Sequence, residues 1–377
     1  MRGVLFFFIA LAVLAPFTIV TIVTLLRLHP KRRLAIIALA VIGNLMWPFF
    51  GLLRAMTPFS RMVRAVLGPP WFAWTCFAIL YSVVMTLIIW TPREFRHWVS
   101  RVFLTITIAA SIAGFYDAIV PLRVDRVPIF IDDLPARAEG TKIALMADMH
   151  VGLFTRPSRL RQFFERTGAL KPDVVILAGD LIDDDPYFVP KLLESTRSLD
   201  PATPLLAVLG NHEMYGDPDR AIAALRGSRI RLLVNEGTEL RSLWIAGLSD
   251  FAAQRPDLRP DMARALAGAP SSAMPIVVAH QPKAFDEARM RKIPLTLVAH
   301  THGGQLGIRP LGWSLAGVFL PYDMGLFRRG GSQLFVNTGT GFWLIPFRLG
   351  MTGEITLIEL HKTRPASRVP LRNSRRL

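Results

Sequence analysis

The stretch "LTLVAHTHGGQ" (residues 295–305) begins as an apolar run and ends on two histidines followed by two glycines. A short apolar run that stops abruptly at a Gly-Gly turn reads as a buried strand. It shows almost no polar alternation, so both of its faces are expected to be covered, as in a largely parallel sheet. His300 and His302 would then stand at its carboxyl end. A loop that happens to carry histidine would look the same, so the rest of the chain has to decide.

Four other segments repeat the design. "KIALMAD" (142–148) and "DVVILAGD" (173–180) are apolar runs ending on an acid, "PLLAVLGNHE" (204–213) ends on Gly-Asn-His-Glu, and "PIVVAHQP" (275–282) ends around a histidine. Helical patterns separate most of them. In "SRLRQFFERTGAL" (158–170), Leu160, Phe163, Phe164 and Leu170 fall along roughly one face. The alternation predicts a layered α/β fold, in which ligands collect beyond the carboxyl ends of the strands. Of eight histidines, five lie at these ends: His150, His212, His280, His300 and His302. Asp148, Asp180 and Asn211 join them. His29, His97 and His361 sit in basic surroundings and are expected at the surface.

One such histidine at a strand end would be structural more often than not, but five together with two acids and an amide point to metal binding. The donors are nitrogen and oxygen, since the single cysteine, Cys76, lies inside an apolar run. That set suits zinc, manganese or iron. It exceeds what one catalytic metal needs and fits two ions sharing a bridging carboxylate. The chemistry read from the residues is metal-assisted hydrolysis, most naturally at phosphorus.

In this order, "DMH", "GDLID", "GNHE", "AH" and "AHTH" closely resemble the five motifs of the calcineurin-like metallophosphoesterases, over about residues 142–305. The resemblance implies a four-layer sandwich of two mixed β-sheets flanked by helices. It implies that Asp148, His150, Asp180 and His302 hold one divalent ion, and that Asp180, Asn211, His280 and His300 hold a second, with Asp180 bridging. His212 resembles the family's catalytic, non-ligand histidine, and Asp183 a residue that orients a ligand or its neighbour. Ala299 stands where the family pattern has glycine. "HGGQ" and "NTGTGFWLIPFRLGMTGEI" (337–355) resemble a narrower, membrane-attached branch, associated with hydrolysis of UDP-2,3-diacylglucosamine or with general phosphodiesterase activity. Arg348 in that stretch is read either as a ligand for a substrate phosphate or as a structural partner of a carboxylate or carbonyl.

Net charge is +16, yet residues 131–361 hold 25 basic and 25 acidic side chains, and the excess lies at the two ends. A neutral body is a poor match for a phosphate backbone, so no nucleic-acid partner is expected. Residues 1–123 carry four long apolar runs: 3–26, 34–53, 71–90 and 102–122. Each is about long enough to cross ~30 Å of hydrocarbon as a helix. The expectation is therefore a four-helix transmembrane region, a linker at 124–141, a metallophosphoesterase domain at 142–361 and a basic tail at 362–377. Asn44 and Asp117 are expected to serve interhelical bonding and an interface position. Loops one and three hold seven basic residues against six on the other side, and this slightly favours an extracytoplasmic catalytic domain on a bacterial inner membrane.

Between Leu306 and Gly350, Trp313, Phe319, Leu320, Tyr322, Leu326, Phe327, Phe342, Trp343 and Phe347 are interspersed with arginines. Most are expected to fill the core, with some around Trp313–Phe327 forming an apolar rim towards the lipid bilayer. The substrate is then a phosphodiester or pyrophosphate that is either lipid-linked or soluble. A scaffold whose metal site is purely structural is the remaining reading.

Overall fold

The computed structural model describes residues 2–46, 57–120 and 122–363, with side chains from residue 12 onward. Two compact units result, Met1–Ala113 and Gly114–Leu377.

The first unit is helical. Pro58–Leu87 and Arg93–Ile119 are the two described helices long and apolar enough to span a membrane, the second running on into the next unit. Ala12–Leu28 and Pro30–Asn44 pass the same test only as a pair bent by 113°. Among the described residues, two or three candidate spans are therefore found where the sequence has four apolar runs. Arg33–Asn44 has 12 residues, about 18 Å of helix, too short to cross alone. The rest of that apolar run, 47–53, lies outside the described residues, as does most of the basic tail. Asn44 Nδ2 donates to Ala40 O of its own helix.

Along the second unit the strands are β1 (Arg123–Ile131), β2 (Lys142–Met146), β3 (Val174–Ala178), β4 (Leu205–Val208) and β5 (Arg231–Leu232). Next come β6 (Glu236–Leu240), β7 (Leu243–Gly247), β8 (Met274–Val278) and β9 (Leu295–Val298). The last five are β10 (Gly307–Ile308), β11 (Trp313–Ser314), β12 (Gly325–Arg329), β13 (Ser332–Val336) and β14 (Glu354–Lys362). One six-stranded sheet has the order β1-β14-β2-β3-β4-β5 and the other β12-β13-β9-β8-β7-β6, while β10 and β11 pair separately. Both large sheets are mixed. β2 to β5 are parallel and β14 enters antiparallel to β2. β7, β8, β9 and β13 are parallel between the antiparallel edges β6 and β12.

The segment read as a linker is partly a strand. β1 lies parallel to β14 over its whole length, Arg123 opposite Glu354 and Ile131 opposite Lys362. Its mixed prolines and charges hid this, because an edge strand half open to water tolerates both.

Ile143, Leu145 and Ile176 of the first sheet share one buried cluster with Ile245, Ile276 and Leu297 of the second. Ala299 lies in that cluster, so a small side chain is accommodated where the family pattern has glycine. Behind the first sheet, Leu160, Phe163 and Phe164 of the helix Pro157–Ala169 pack on Val175 and Leu177. Behind the second, Phe285 and Ala288 of Ala284–Met290 pack near Val277 and Val298. Covering both faces of the central strands explains their unbroken apolar runs. It also leaves the carboxyl ends of β2, β3, β4, β8 and β9 as places where polar side chains converge.

Candidate metal centre

The backbone turns sharply at each of these strand ends. Asp148, His150, Asp180, His300 and His302 all have φ between 42° and 73°. Non-glycine residues avoid that left-handed region unless their surroundings hold them there, and such residues cluster at functional sites. Here the turns interlock: Asp148 N–H donates to Gly179 O and His150 N–H to Asp180 O, each at 3.0 Å. At Gly210 a Cβ would run into the Asp180 carboxylate, so glycine lets the third motif close on the second.

Three groups of donor atoms emerge, one of them His150, Asp183 and His212, and the other two share a carboxylate. Asp148, His150, Asp180 and His302 place theirs within 4.8 Å of one another, and so do Asp180, His280 and His300. Asp180 belongs to both. Its Oδ2 lies 3.1 Å from His280 Nε2 and 3.6 Å from His150 Nε2. The Nε2 atoms of His150 and His302 are 3.0 Å apart, and His280 Nε2 is 3.1 Å from His300 Nδ1. His280 Nδ1 meets Ala178 O at 2.8 Å. A carbonyl only accepts, so Nδ1 carries hydrogen there and Nε2 is the atom presented to the centre.

Divalent cations fit these residues. Both carboxylate oxygens of Asp148 and the Oδ1 of Asn211 are buried without a hydrogen-bond partner. Protein interiors rarely tolerate such orphans unless an ion or water completes them. Burial pushes the Asp148 carboxyl up to about 7, with His280 opposing and Asp180 reinforcing. Burial also lowers His300, to about 4, and holds His150 and His302 well below the usual imidazole range. Those three are therefore neutral, as metal ligands must be. Burial opposes charge on His280 too, but Asp180 outweighs it and raises His280 to about 10. Without a cation, the buried carboxylates lean on an imidazolium for their countercharge.

His212 belongs to neither of the two groups that share Asp180, but to the third, with His150 and Asp183. Its Nε2 is 4.0 Å from Asp180 Oδ2, and its backbone N–H donates to Asp180 Oδ1 at 2.9 Å. Its Nδ1 lies 2.6 Å from Asp184 Oδ1 and 3.7 Å from Asp183 Oδ1. Burial works against its charged form, but the close approach of Asp184 and the charges of Asp180, Asp184 and Asp183 raise it to about 9. Asp183 is also 4.0 Å from His150 Nδ1, so it stands between two site histidines, with Asp184 the nearer neighbour of His212.

The sequence reading missed Asp184 and Glu213. Glu213 is buried, and its carboxylate accepts from the N–H groups of Gly210, Asp180, Leu181 and Ile182 at 2.7–3.1 Å. One side chain therefore fixes the second and third motifs against each other. The only sequence signal was its place as the last residue of "GNHE", which does not say where a carboxylate points.

Arg348 has two readings, and its contacts bear on both. It is fully buried, and its guanidinium donates to the carbonyls of Gly341 (2.6 Å), Thr338 (3.0 Å) and Met351 (3.1 Å). Nη2 lies 3.3 Å from His302 Nδ1. These contacts are those expected of the structural role, a partner of carbonyls. The fork geometry of arginine suits three carbonyls converging from one loop.

The family profile of the calcineurin-like phosphoesterases matches residues 141–304. An uncharacterized metallophosphoesterase of Helicobacter pylori (strain J99) is 32% identical over 250 residues, 66% of this chain and 66% of its own. A Danio rerio protein called transmembrane protein with metallophosphoesterase domain is 31% identical over 272 residues, 68% of this chain and 61% of its own. Somewhat less than two thirds of either relative is thus matched. Among solved structures, TT1561 of Thermus thermophilus aligns over 53% of this chain and 90% of its own, with 14% identity and a TM-score of 0.35. Residues 141–304 of the chain carry a calcineurin-like metallophosphoesterase domain.

Proposed function

We propose that the protein is a membrane-anchored, two-metal phosphoesterase that hydrolyses a phosphodiester or pyrophosphate bond. The observation that carries the reading is Asp180, whose carboxylate is shared by two donor groups, all buried but for the half-buried His300. Asp148, His150, Asp180 and His302 would hold one divalent ion, and Asp180, Asn211, His280 and His300 the other. Ions so placed would supply Lewis acidity towards phosphate oxygens and lower the pKa of an attacking water.

The chain's own residues do the rest. Asp180 fixes the spacing of the two groups, and Glu213 holds its backbone. His212, with Nδ1 2.6 Å from Asp184 Oδ1, would present Nε2 to the leaving oxygen. As water adds to phosphorus and the P–O bond to the leaving group breaks, Nε2 delivers the proton that oxygen needs. The three buried clusters support the four-layer arrangement expected for such a domain.

Topology stays an extracytoplasmic proposal. Arg123 and Arg126 are strand residues paired with Glu354 and Glu359. On the four-crossing reading that leaves Arg2, Arg54, Arg61 and Arg64 to set against seven basic residues in loops one and three. A compartment-sensitive reporter at the carboxyl terminus tests the side.

Metal analysis of the purified full chain, alongside hydrolysis of a nitrophenyl phosphodiester, tests the reaction. The expected result is about two ions per chain and turnover that a chelator abolishes reversibly. Full turnover after exhaustive chelation would overturn the reading.

A further inference from the structure

Residues 306–320 present an apolar face that the fold leaves bare. Ile308, Leu311, Trp313, Val318, Phe319 and Leu320 are all exposed, Phe319 to 77% and Leu311 to 75%. Soluble monomers seldom gather so many apolar side chains outward on one short segment without a partner for them. The aromatic expectation divides here. Trp313, Phe319 and Leu320 face out, whereas Tyr322, Leu326 and Phe327 pack in or against buried clusters.

The face is built on a polar scaffold. Ser314 Oγ donates to Asp323 Oδ2 and Thr301 Oγ1 to Asp323 O, each at 2.6 Å. Leu315 N–H donates to Leu306 O at 2.8 Å, and Arg309 is tied to Asp125, Glu354 and Thr338. The segment is held in place while its apolar side chains point away.

Its position says what covers it. The segment follows directly on His302, and Trp343 and Leu344, also exposed, come from a second stretch beside the centre. Gln305 joins the two: its Oε1 accepts from Trp343 N–H at 2.7 Å and its Nε2 donates to Trp343 O. Two residues before Trp343, Gly341 N–H donates to Asp148 O at 3.1 Å. The same stretch then reaches residues that end an apolar helix. Arg348 N–H donates to Gly114 O, Gly350 N–H to Asp117 Oδ2, and Phe347 packs edge-on to Phe115. Gly114–Ile119 complete Arg93–Ile119, one of the candidate spans. Leu349 closes the circuit, donating to Gln305 O and accepting from Gly307 N–H.

We infer that the face formed by Ile308–Leu320 with Trp343 and Leu344 inserts into the lipid–water interface, and that the bordering metal centre takes a phosphate ester whose other end is embedded in that bilayer. The inference rests on the phosphoesterase reading for its chemistry and on the hydrogen-bonded route to Gly114–Ile119 for its occupant. Aromatic rings settle at headgroup depth, where apolar bodies meet water. A phosphate held at that depth by its own acyl chains would reach the strand ends without leaving the membrane.

The test uses the full chain in lipid nanodiscs, in a Cys76→Ala background, with an environment-sensitive dye on Phe319→Cys or, as control, on Arg197→Cys. Brominated acyl chains should quench the dye at position 319 and leave position 197 unchanged; no quenching at 319 overturns the proposal. A V318S/F319S/L320S variant should hydrolyse a dialkylglycerol-linked phosphodiester in nanodiscs about tenfold more slowly, as the interface loses its apolar hold. Its rate on a soluble nitrophenyl diester should stay within about twofold. Equal losses on both substrates also overturn the proposal. If the face instead pairs two copies of the chain, the variant dissociates a dimer and bromine has no effect, which counts against it. Wild-type protein inactive on both substrates would sink the phosphoesterase reading, while the quenching result still reports on the surface.

Discussion

The strand ends and the segment that follows them depart from ordinary burial in opposite directions. Around Asp148, Asp180 and His280 the chain buries charge almost completely, whereas along Ile308–Leu320 it turns large apolar side chains to the outside. Both departures are costly in water, and each is informative because the reverse arrangement is the default. In the first region buried donors without partners call for cations. In the second, bare apolar groups on a hydrogen-bonded scaffold call for an apolar phase. The two regions meet at His302 and Gly341, so a phosphate and its hydrophobic carrier would be recognised side by side.

The severest test of the polar half is Asp180→Asn. The amide keeps the shape but loses the charge shared by both donor groups. Nearly all turnover and much of the bound metal should disappear while the far-ultraviolet circular dichroism is retained. Metal content and activity near wild type would remove the contrast between the regions altogether.

His212→Ala should lower turnover by ~10²–10⁴-fold with metals still bound. The deficit should shrink for leaving groups that need no proton. Metal loss in this variant would move His212 into the coordinating set.

Glu213→Gln sharpens the picture at the next level. The amide places N–H groups where four backbone N–H donors now converge. Metal affinity should fall ~10–100-fold, read by titration with a competing chelator. An unchanged affinity would show that the two motifs hold their geometry without this clamp.

Arg348→Met probes the join between the regions. Three carbonyls lose their donor, so thermal unfolding should report about 3 kcal/mol of lost stability. The KM of folded enzyme should stay near wild type; a large rise in KM with unchanged stability would favour the phosphate-binding role.

The smallest effect concerns pH in chelated protein. His212 and His280 hold their protons above the ordinary value of 6.5, to about 9 and about 10. Their stabilising contribution is complete below 6.5 and is lost as pH climbs through those values. The melting temperature of chelated protein should therefore decline between pH 6.5 and 10, and that of metal-loaded protein should decline less. A chelated melting temperature that rises across this range would contradict the charge distribution described for the centre.

Reading the sequence found β2, β3, β4, β8 and β9 because each is an unbroken apolar run ending on a donor. It missed β1 and β14, whose partners lie more than two hundred residues apart in the chain. A half-exposed edge strand has no run to recognise, and pairing across that distance leaves no local pattern. The same limit applies to the site. Asp148, His150, Asp180, Asn211, His212, His280, His300 and His302 were legible as residue types in a fixed order at strand ends. Asp184 and Glu213 were not, because contact with His212 or with the N–H groups of Gly210 and Asp180 depends on how separate turns pack. Arg348 was visible as a charge, but its burial under three carbonyls was not. The aromatics after His302 could be counted but not sorted into core and surface, since composition is the same for both. The sequence by itself determined the chemistry, because donor identity and strand-end placement are local properties of the chain. Tertiary structure decided which side chains are buried and which face outward, because burial depends on what the rest of the chain brings into contact.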